Sequence, residues 1–374
     1  MLLIWMWSSR AMARCARATR RVSAGTVLGV GAVCRLMVVL GCGWAHADSA
    51  AAIGCPPVAQ VPTEAQIREG AAKYARDRGM LWRITKGGHS SYLYGTIHVG
   101  RFEWMFPGPV LGKALIGSDV LALELDPTDP DIMRRMQAAL MGPVAGGAAP
   151  AGSAPSPSTS TVASTPAPAS VATGSEGASF AARVQRQSEL ACIPAATLAP
   201  MQPLMQAMTL MLLAGRSERL DASYGQEFLL AGMARAAQRR IVSLETPESQ
   251  AAILLPDNPE RAQRMAEDLL AQLEQGTSIS GLKRLAGIWE QGDLAQLERY
   301  EQWCECVDTD EARAYFRALN DGRNQHIAEG IDTLHAEGNK VFAAVGTLHM
   351  SGANALPKLM AKLGYSVERL SFAP

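Results

Sequence analysis

The first 47 residues contain no acidic side chain, although they carry six arginines. An apolar stretch follows from about Val22, and Ala45-His46-Ala47 forms a small-x-small cleavage pattern directly before Asp48. This combination is typical of a secretory signal peptide. Arg35 interrupts the apolar run, which argues against a stable membrane span. The sequence therefore predicts that residues 1–47 are a cleaved signal peptide and that the protein is exported to the periplasm.

Two other interpretations of this segment stay open. The tetrapeptide VLGC, which ends at Cys42, loosely resembles a lipoprotein cleavage box, so lipid anchoring through this cysteine is one alternative. An uncleaved anchor is the other.

The remaining chain lacks an excess of positive charge. Residues 48–374 hold 29 basic and 35 acidic side chains. A mildly acidic protein is a poor partner for nucleic acid or for an anionic membrane surface. We therefore expect no nucleic-acid partner, and no stable membrane span once the signal peptide is removed.

Cysteine is scarce in the same region, which retains Cys55, Cys192, Cys304 and Cys306. An even number of cysteines in an exported chain predicts disulfides, and four cysteines allow three connectivities. The close spacing of Cys304 and Cys306 would strain a bond between them, so pairing these two with Cys55 and Cys192 is an equal alternative, and free thiols are another. A zinc site is not expected, because no second closely spaced Cys or His pair completes one.

Large apolar residues are nearly absent between Gly142 and about Ser179, where Ala, Pro, Ser, Thr and Gly predominate. A segment of this composition cannot bury a core, so we predict a disordered insertion over residues 142–179. The part before it is short for an independent domain. We therefore expect an N-terminal segment and helix over 48–79, then one domain over 80–374 that the insertion interrupts.

Apolar runs and turn residues predict six strands and several helices. A helix capped by Thr63 covers the stretch TEAQIREGAAKYARDRG. The predicted strands are LWRITKGG and SYLYGTIHV, joined as a hairpin, then DVLALELD, RRIVSLE, KVFAAVG and, at an edge, GYSVERLSF. This pattern predicts an α/β (or α+β) fold with one mixed β-sheet, built from two pseudo-symmetric halves and flanked by helices.

The same motif, Gly-Thr-aliphatic-His, closes two of these strands, once at residues 95–98 and again at 346–349. Each glycine permits a tight backbone at the strand end. Each motif thus presents a histidine where α/β sheets usually place their ligands. Neutral imidazole is the commonest metal ligand, so His98 and His349 are candidate ligands of one shared ion.

A carboxylate also ends two of the apolar strands. Glu124 lies in VLALELD and Glu245 in IVSLETPE, each after a leucine. Burying an unpaired carboxylate costs several kcal/mol or shifts its pKa. Each glutamate therefore needs a partner, which can be a metal ion, an arginine or a transferable proton. A solvent-facing helix start is the alternative for Glu245.

Several ordered blocks resemble one family. The stretches SYLYGTIHVG, DVLALELD, VSLETPESQ, IWEQGDLAQLE, GRNQHIAEGI and VFAAVGTLHMSGANALPKLMAKLGYSVERL look like the TraB/GumN family, which is related to the Tiki metalloproteases. The resemblance covers about residues 80–370 apart from the insertion, which is foreign to the family pattern.

The resemblance implies a divalent-metal site. It makes His98 and His349 ligands, and it makes Glu124 a ligand or the general base. Glu245 becomes a further acidic catalytic candidate. Arg323 and Asn324 match an Arg-Asn pair that the family carries on a late helix. Zn, Mn or Co suits such mixed nitrogen and oxygen ligands.

The expected activity is metal-dependent hydrolysis of a peptide or protein substrate. The chain has no H-E-x-x-H helix, which excludes a standard zincin mechanism. The alternative is a non-catalytic periplasmic binding or accessory protein for a metal, for haem, or for a polysaccharide or export pathway. Of the other polar residues, Asp293 is expected to be a helix N-cap, and His326 and His335 are expected to be solvated.

Overall fold

The computed structural model describes residues 54–60, 62–141 and 178–372. The predicted signal peptide lies outside the described residues, and so does the predicted insertion except for its last two residues. In the ranges that are described, none of the helices has the length and apolar character needed to cross a membrane.

A six-stranded mixed sheet forms the centre of the fold. Its strands are β1 (Met80–Lys86), β2 (His89–Thr96), β3 (Val120–Leu123), β4 (Arg240–Ser243), β5 (Val341–Gly346) and β6 (Ser366–Leu370). Their order is β4-β3-β5-β2-β1-β6. The first four in this order run parallel, while β1 is antiparallel to both β2 and β6. The mixed sheet and all six predicted strands are therefore confirmed, including the final strand at an edge.

The hairpin between β1 and β2 follows from two glycines. Lys86 pairs with His89, which leaves Gly87 and Gly88 as a two-residue loop. Both glycines have positive φ values, 60° and 82°. A turn of this kind requires positive φ at both positions, which glycine adopts without steric cost.

Helices cover both faces of the sheet. They are α1 (Glu64–Tyr74), α2 (Pro109–Ile116), α3 (Pro130–Met141), α4 (Phe180–Leu190), α5 (Pro203–Ala214), α6 (Gln226–Ala236), α7 (Pro247–Leu254), α8 (Pro259–Gln275), α9 (Thr277–Gln291), α10 (Leu294–Leu297), α11 (Tyr300–Trp303), α12 (Asp310–Leu319), α13 (Asp321–Ala336) and α14 (Leu356–Lys362). Thr63 caps α1 through a capping box with Gln66, as its position predicted. Asp293 caps α10 by accepting from the backbone of Gln296 at 3.0 Å.

Alternate residues of the central strands pack into two separate cores. Val341 and Ala343 of β5 face a cluster that includes Ile327 and Ile331 of α13. Phe342 of β5 faces the opposite cluster, which draws on α2, α6 and α9. A strand buried on both faces reads as a continuous apolar run, which explains why VFAAV contains no polar residue. Burial on both sides holds the strand ends in fixed positions.

The four cysteines form two disulfides, Cys55–Cys192 and Cys304–Cys306. The pairing of neighbours Cys304 and Cys306 is one of the connectivities that the sequence left open, and the Cα atoms of this pair lie 5.1 Å apart. The long-range bond ties the segment before α1 to the loop after α4.

One expectation about a polar residue was wrong. His335 is buried, at 3% exposure, rather than solvated. Its Nδ1 lies 2.8 Å from the Ser91 hydroxyl, and its Nε2 lies 3.0 Å from the Lys86 carbonyl. The ring also stacks on His89 at a centroid distance of 3.7 Å. His335 therefore joins α13 to the first hairpin of the sheet.

Candidate active site

The parallel strands bring the sequence motifs to one edge of the sheet. Glu124 follows β3, and Glu245 lies two residues beyond β4. The backbone N–H of Glu245 donates to the carbonyl of Glu124 at 3.1 Å, so the two strand ends remain paired. The histidine motifs follow β2 and β5, which are also parallel neighbours, with Thr96 opposite Gly346. Carboxyl ends of parallel strands meet at one edge, which is where such sheets hold their ligands.

The glycine of each histidine motif lies where little room is left for a side chain. A Cβ atom on Gly95 would lie 2.8 Å from the Thr347 hydroxyl oxygen and 3.1 Å from the Thr347 Cα. A Cβ on Gly346 would lie 3.3 Å from Glu124 Oε1, 3.5 Å from His349 Cδ2 and 3.8 Å from His98 Nε2. Both histidines and Glu124 thus surround one point beside Gly346.

Asn324, in the first turn of α13, orients His349. Its Nδ2 donates to the backbone carbonyls of Asn354 and His349, at 2.8 and 3.3 Å. Its Oδ1 is therefore the atom that lies 2.6 Å from His349 Nδ1, and it must accept. His349 consequently carries its proton on Nδ1. The lone pair on its Nε2 faces Glu124 Oε1 at 3.8 Å.

Glu227 orients His98 in a similar way. Its Oε1 accepts from the Thr96 hydroxyl at 2.6 Å and lies 2.8 Å from His98 Nδ1. A carboxylate can only accept, so His98 also donates from Nδ1, and in the neutral ring Nε2 carries the lone pair. The His98 side chain is 51% exposed, whereas Glu227 is 7% exposed. His98 therefore stands at the rim of the site, and the carboxylate that holds it is buried.

Arg323 binds the two strand-end carboxylates together. Its Nη2 donates to Glu124 Oε2 and to Glu245 Oε2, and its Nε donates to Glu245 Oε1 at 2.9 Å. Gln250 donates to the same two carboxylates, at 3.2 Å to Glu124 and 2.9 Å to Glu245. Glu124 Oε1 accepts from the Gly346 backbone at 2.7 Å. Oε2 of Glu124 thus accepts from both Arg323 and Gln250, whereas Oε1 faces the histidines.

This arrangement shifts the pKa values of its members. Burial alone would raise the pKa of Glu124, but His349, Arg323 and His98 outweigh it, and the pKa lies well below its usual range. Burial lowers the pKa of His349 to about 4. Burial would also lower the pKa of His98, but the charge and hydrogen bond of Glu227 reverse this and raise it. At neutral pH the site therefore combines an ionised Glu124 with a neutral His349.

Comparison with known proteins gives one family. The model of the TraB/PrgY/gumN family matches residues 80–153 and 169–369, which is more than half of the chain. The chain belongs to the TraB/PrgY/gumN family. Its match skips residues 154–168, inside the predicted insertion. No curated protein and no solved structure matches the chain.

The family membership raises the question of whether this site can hold a metal ion. In the ranges 54–60, 62–141 and 178–372 no group of three His, Cys, Asp or Glu side chains is gathered closely enough to coordinate an ion as it stands. The donor types nevertheless fit, because His98 Nε2, His349 Nε2 and Glu124 Oε1 all border the point beside Gly346. Metal-bound histidines typically donate their other N–H to a carboxylate or a carbonyl-type oxygen, as both do here. The residues present therefore fit a divalent ion in donor type, with the Nε2 atom of both rings available.

Two residues of this TraB/PrgY/gumN site were missed in the sequence. Glu227 lies in the stretch YGQEFLLAG, and Gln250 lies at the end of the block VSLETPESQ, in which only Glu245 was singled out. Glu227 lies 129 positions from His98, and Gln250 lies 126 positions from Glu124 but only five from Glu245. No local pattern could have indicated the contacts of Glu227 with His98 or of Gln250 with Glu124. An acidic residue in the first turn of a helix is ordinarily explained by the helix dipole.

Proposed function

We propose that the protein is an exported metal-dependent hydrolase that acts on peptide bonds, with His98, His349 and Glu124 as the ligands of one divalent cation. The observation that carries this proposal is the buried charge of the site. Three carboxylates, Glu124, Glu245 and Glu227, are 12%, 3% and 7% exposed, and the guanidinium of Arg323 pairs with the first two of them. With both histidines neutral, as metal binding requires, the three carboxylates and Arg323 leave two negative charges to be balanced.

Excess buried charge of this size is costly unless a counter-charge neutralises it. A divalent cation supplies two positive charges, which equals the deficit. Two imidazole nitrogens and one carboxylate oxygen form a donor set that suits Zn, Mn or Co. Ligand bonds of about 2.0–2.2 Å place two ligands of one ion roughly 3–4 Å apart. The 3.8 Å between His349 Nε2 and Glu124 Oε1 is compatible with that spacing.

A bound cation would supply an acidified water and polarise the scissile carbonyl. The residues of the chain prepare this chemistry by position and charge. The lowered pKa of Glu124 favours the ligand role over the general-base role, because an efficient base needs a pKa near the working pH. Arg323 holds Glu124 and Glu245 in a fixed relation, and Asn324 keeps the His349 lone pair on Nε2.

Export is supported by the cysteines. The four cysteines beyond residue 47 pair into two disulfides, and disulfides persist mainly in oxidising compartments such as the periplasm. The proposed periplasmic location and the cleavage near Asp48 rest on this pairing together with the composition of residues 1–47.

Turnover of peptides with and without metal tests the proposal. The purified mature protein is stripped with a chelator, reloaded with Zn²⁺, Mn²⁺ or Co²⁺, and assayed on a mixture of fluorogenic peptides. We expect cleavage only after reloading with one of these ions, and none in His349→Ala. His326→Ala, which alters an exposed histidine of the same chain, is the matched control and should retain activity. Metal binding without turnover of any peptide would favour the non-catalytic binding protein instead.

A further inference from the structure

We infer that Glu227 is a positioning residue that fixes the orientation and tautomer of His98, and that it makes the two Gly-Thr-x-His motifs non-interchangeable. The inference deepens the proposed function, since it concerns a ligand of the proposed ion. Its geometric part holds whether or not a metal binds.

The start of α6 is attached directly to the first motif. The backbone N–H of Gln226 donates to the Ile97 carbonyl at 3.1 Å. Gly225 lies so close to His98 that a Cβ there would be 2.7 Å from the His98 carbonyl oxygen. Glu227 is therefore held at a constant distance from the imidazole that it binds.

One oxygen of Glu227 accepts hydrogen bonds from both polar side chains of the first motif. Its Oε1 accepts from the Thr96 hydroxyl and from His98 Nδ1. Thr96 thereby fixes the carboxylate, and the carboxylate fixes the ring. Since the acceptor cannot donate, the proton of a neutral His98 stays on Nδ1.

Stability alone does not account for this carboxylate. Its second oxygen, Oε2, is buried and has no hydrogen-bond partner within the described residues. An unsatisfied buried acceptor on an ionised group destabilises a fold, and a position at a helix start offsets that only in part. A glutamine or methionine would fill the same space without the charge. The charge and the acceptor therefore act on His98.

The second motif is supported differently. His349 donates to Asn324, a neutral amide, and the Thr347 hydroxyl oxygen is buried without a partner within the described residues. The two motifs have the same sequence, but His98 at the rim donates to a carboxylate, whereas the buried His349 donates to an amide. A change at Glu227 should consequently affect His98 and leave His349 as it was.

Nitrogen NMR of the metal-free protein tests the inference, with histidines labelled with ¹⁵N and the pH raised until the ring signals stop shifting, so that every imidazole is neutral. His98→Ala identifies the signals of that ring. In the unmodified protein we expect His98 to be protonated on Nδ1. Glu227→Gln can still accept and should keep this tautomer, whereas Glu227→Ala and the better-filling Glu227→Met should lose it. His349 should keep its tautomer in all three.

Zn²⁺ titration of the same proteins gives the second readout. Loss of an outer-shell partner typically weakens metal binding by about 10–100-fold. We expect that loss for Glu227→Ala and Glu227→Met, and a smaller one for Glu227→Gln. Glu260→Gln is the matched control, because Glu260 occupies the same second position of helix α8 and is exposed.

The two proposals fail in different ways. If the unmodified protein binds no Zn²⁺, Mn²⁺ or Co²⁺, the proposed function is rejected, and the tautomer still decides the role of Glu227. If Glu227→Met folds and His98 stays protonated on Nδ1, or if its Zn²⁺ affinity equals that of Glu260→Gln, the inference is wrong. The methionine variant preserves packing, so the test does not depend on the alanine variant being stable.

Discussion

The backbone N–H of Gly346 donates to Oε1 of Glu124 at 2.7 Å, which joins the end of β5 to the end of β3. The same carboxylate oxygen lies 3.8 Å from His349 Nε2. Gly346 therefore does two things: it holds the carboxylate, and by lacking a side chain it leaves room for the groups that surround it.

Gly346→Ala should disable the site with a small effect on the fold. The added methyl would lie 3.3 Å from Glu124 Oε1 and 3.5 Å from the His349 ring, inside the group of proposed ligands. We expect metal affinity to fall at least tenfold in a Zn²⁺ titration. Gly287→Ala, where a Cβ meets no atom within 4 Å, is the control and should bind as the unmodified protein does. Equal affinity of both variants would contradict the placement of the ion beside Gly346.

Arg323→Met should destabilise the protein strongly. The substitution leaves Glu124 and Glu245 buried side by side without their guanidinium, and removing one partner of a buried ion pair costs about 3–5 kcal/mol. Arg317→Met removes a surface pair with Glu301, in which the arginine is 58% exposed, and should destabilise the protein far less. Urea unfolding of metal-free protein measures both. A similar loss of unfolding free energy in the two variants would mean that Arg323, Glu124 and Glu245 do not form a buried ion pair network.

His335 should make the protein less stable in acid. Burial lowers the pKa of His335 below its usual value. As the pH falls, the unfolded chain therefore takes up the proton first. The stability that the neutral, buried His335 ring contributes is fully present above about pH 6.5 and is lost as the pH falls from there through the folded-state pKa. The free energy of unfolding should drop less between about pH 8 and pH 5.5 in His335→Gln than in the unmodified protein. His326→Ala, at an exposed position of the same helix, is the control, and a similar pH slope in both variants would exclude His335 as its source.

The two disulfides should differ in their contribution to stability. Cys55 and Cys192 are 137 positions apart, whereas Cys304 and Cys306 are two apart. Chain-entropy arguments then give about 5 kcal/mol for the long loop and about 1 kcal/mol for the short one. Thermal unfolding of the double variants Cys55→Ser/Cys192→Ser and Cys304→Ser/Cys306→Ser measures the two contributions.

Alkylation of the native protein followed by mass spectrometry should find no free thiol and an N-terminus near Asp48. An acylated Cys42 would contradict the predicted cleavage.

Much of the fold could be predicted because local patterns determine it. Strands such as VFAAV are continuous apolar runs, and the glycine pair after Lys86 indicates a hairpin turn. Glu124 and Glu245 were placed at strand ends because a carboxylate interrupts an apolar run there. What these residues bind could not be predicted, since Arg323 follows Glu124 by 199 positions and Glu245 by 78.

The errors also have physical reasons. His335 follows Ile327 and Ile331 at four-residue intervals, so it belongs to the buried face of α13, and this periodicity was present in the sequence. Glu227 gave no such signal. Its role depends on Thr96 and His98, which only the folded sheet brings next to the start of α6.

The most direct test of the shared metal site is anomalous diffraction from crystals of the mature protein grown with Zn²⁺, Mn²⁺ or Co²⁺. We expect one strong anomalous peak at about 2.0–2.2 Å from His98 Nε2, His349 Nε2 and a Glu124 oxygen. The peak should be absent from crystals of His349→Ala. A map without a peak at this edge of the sheet, or with a peak bound only by other residues, would contradict the account.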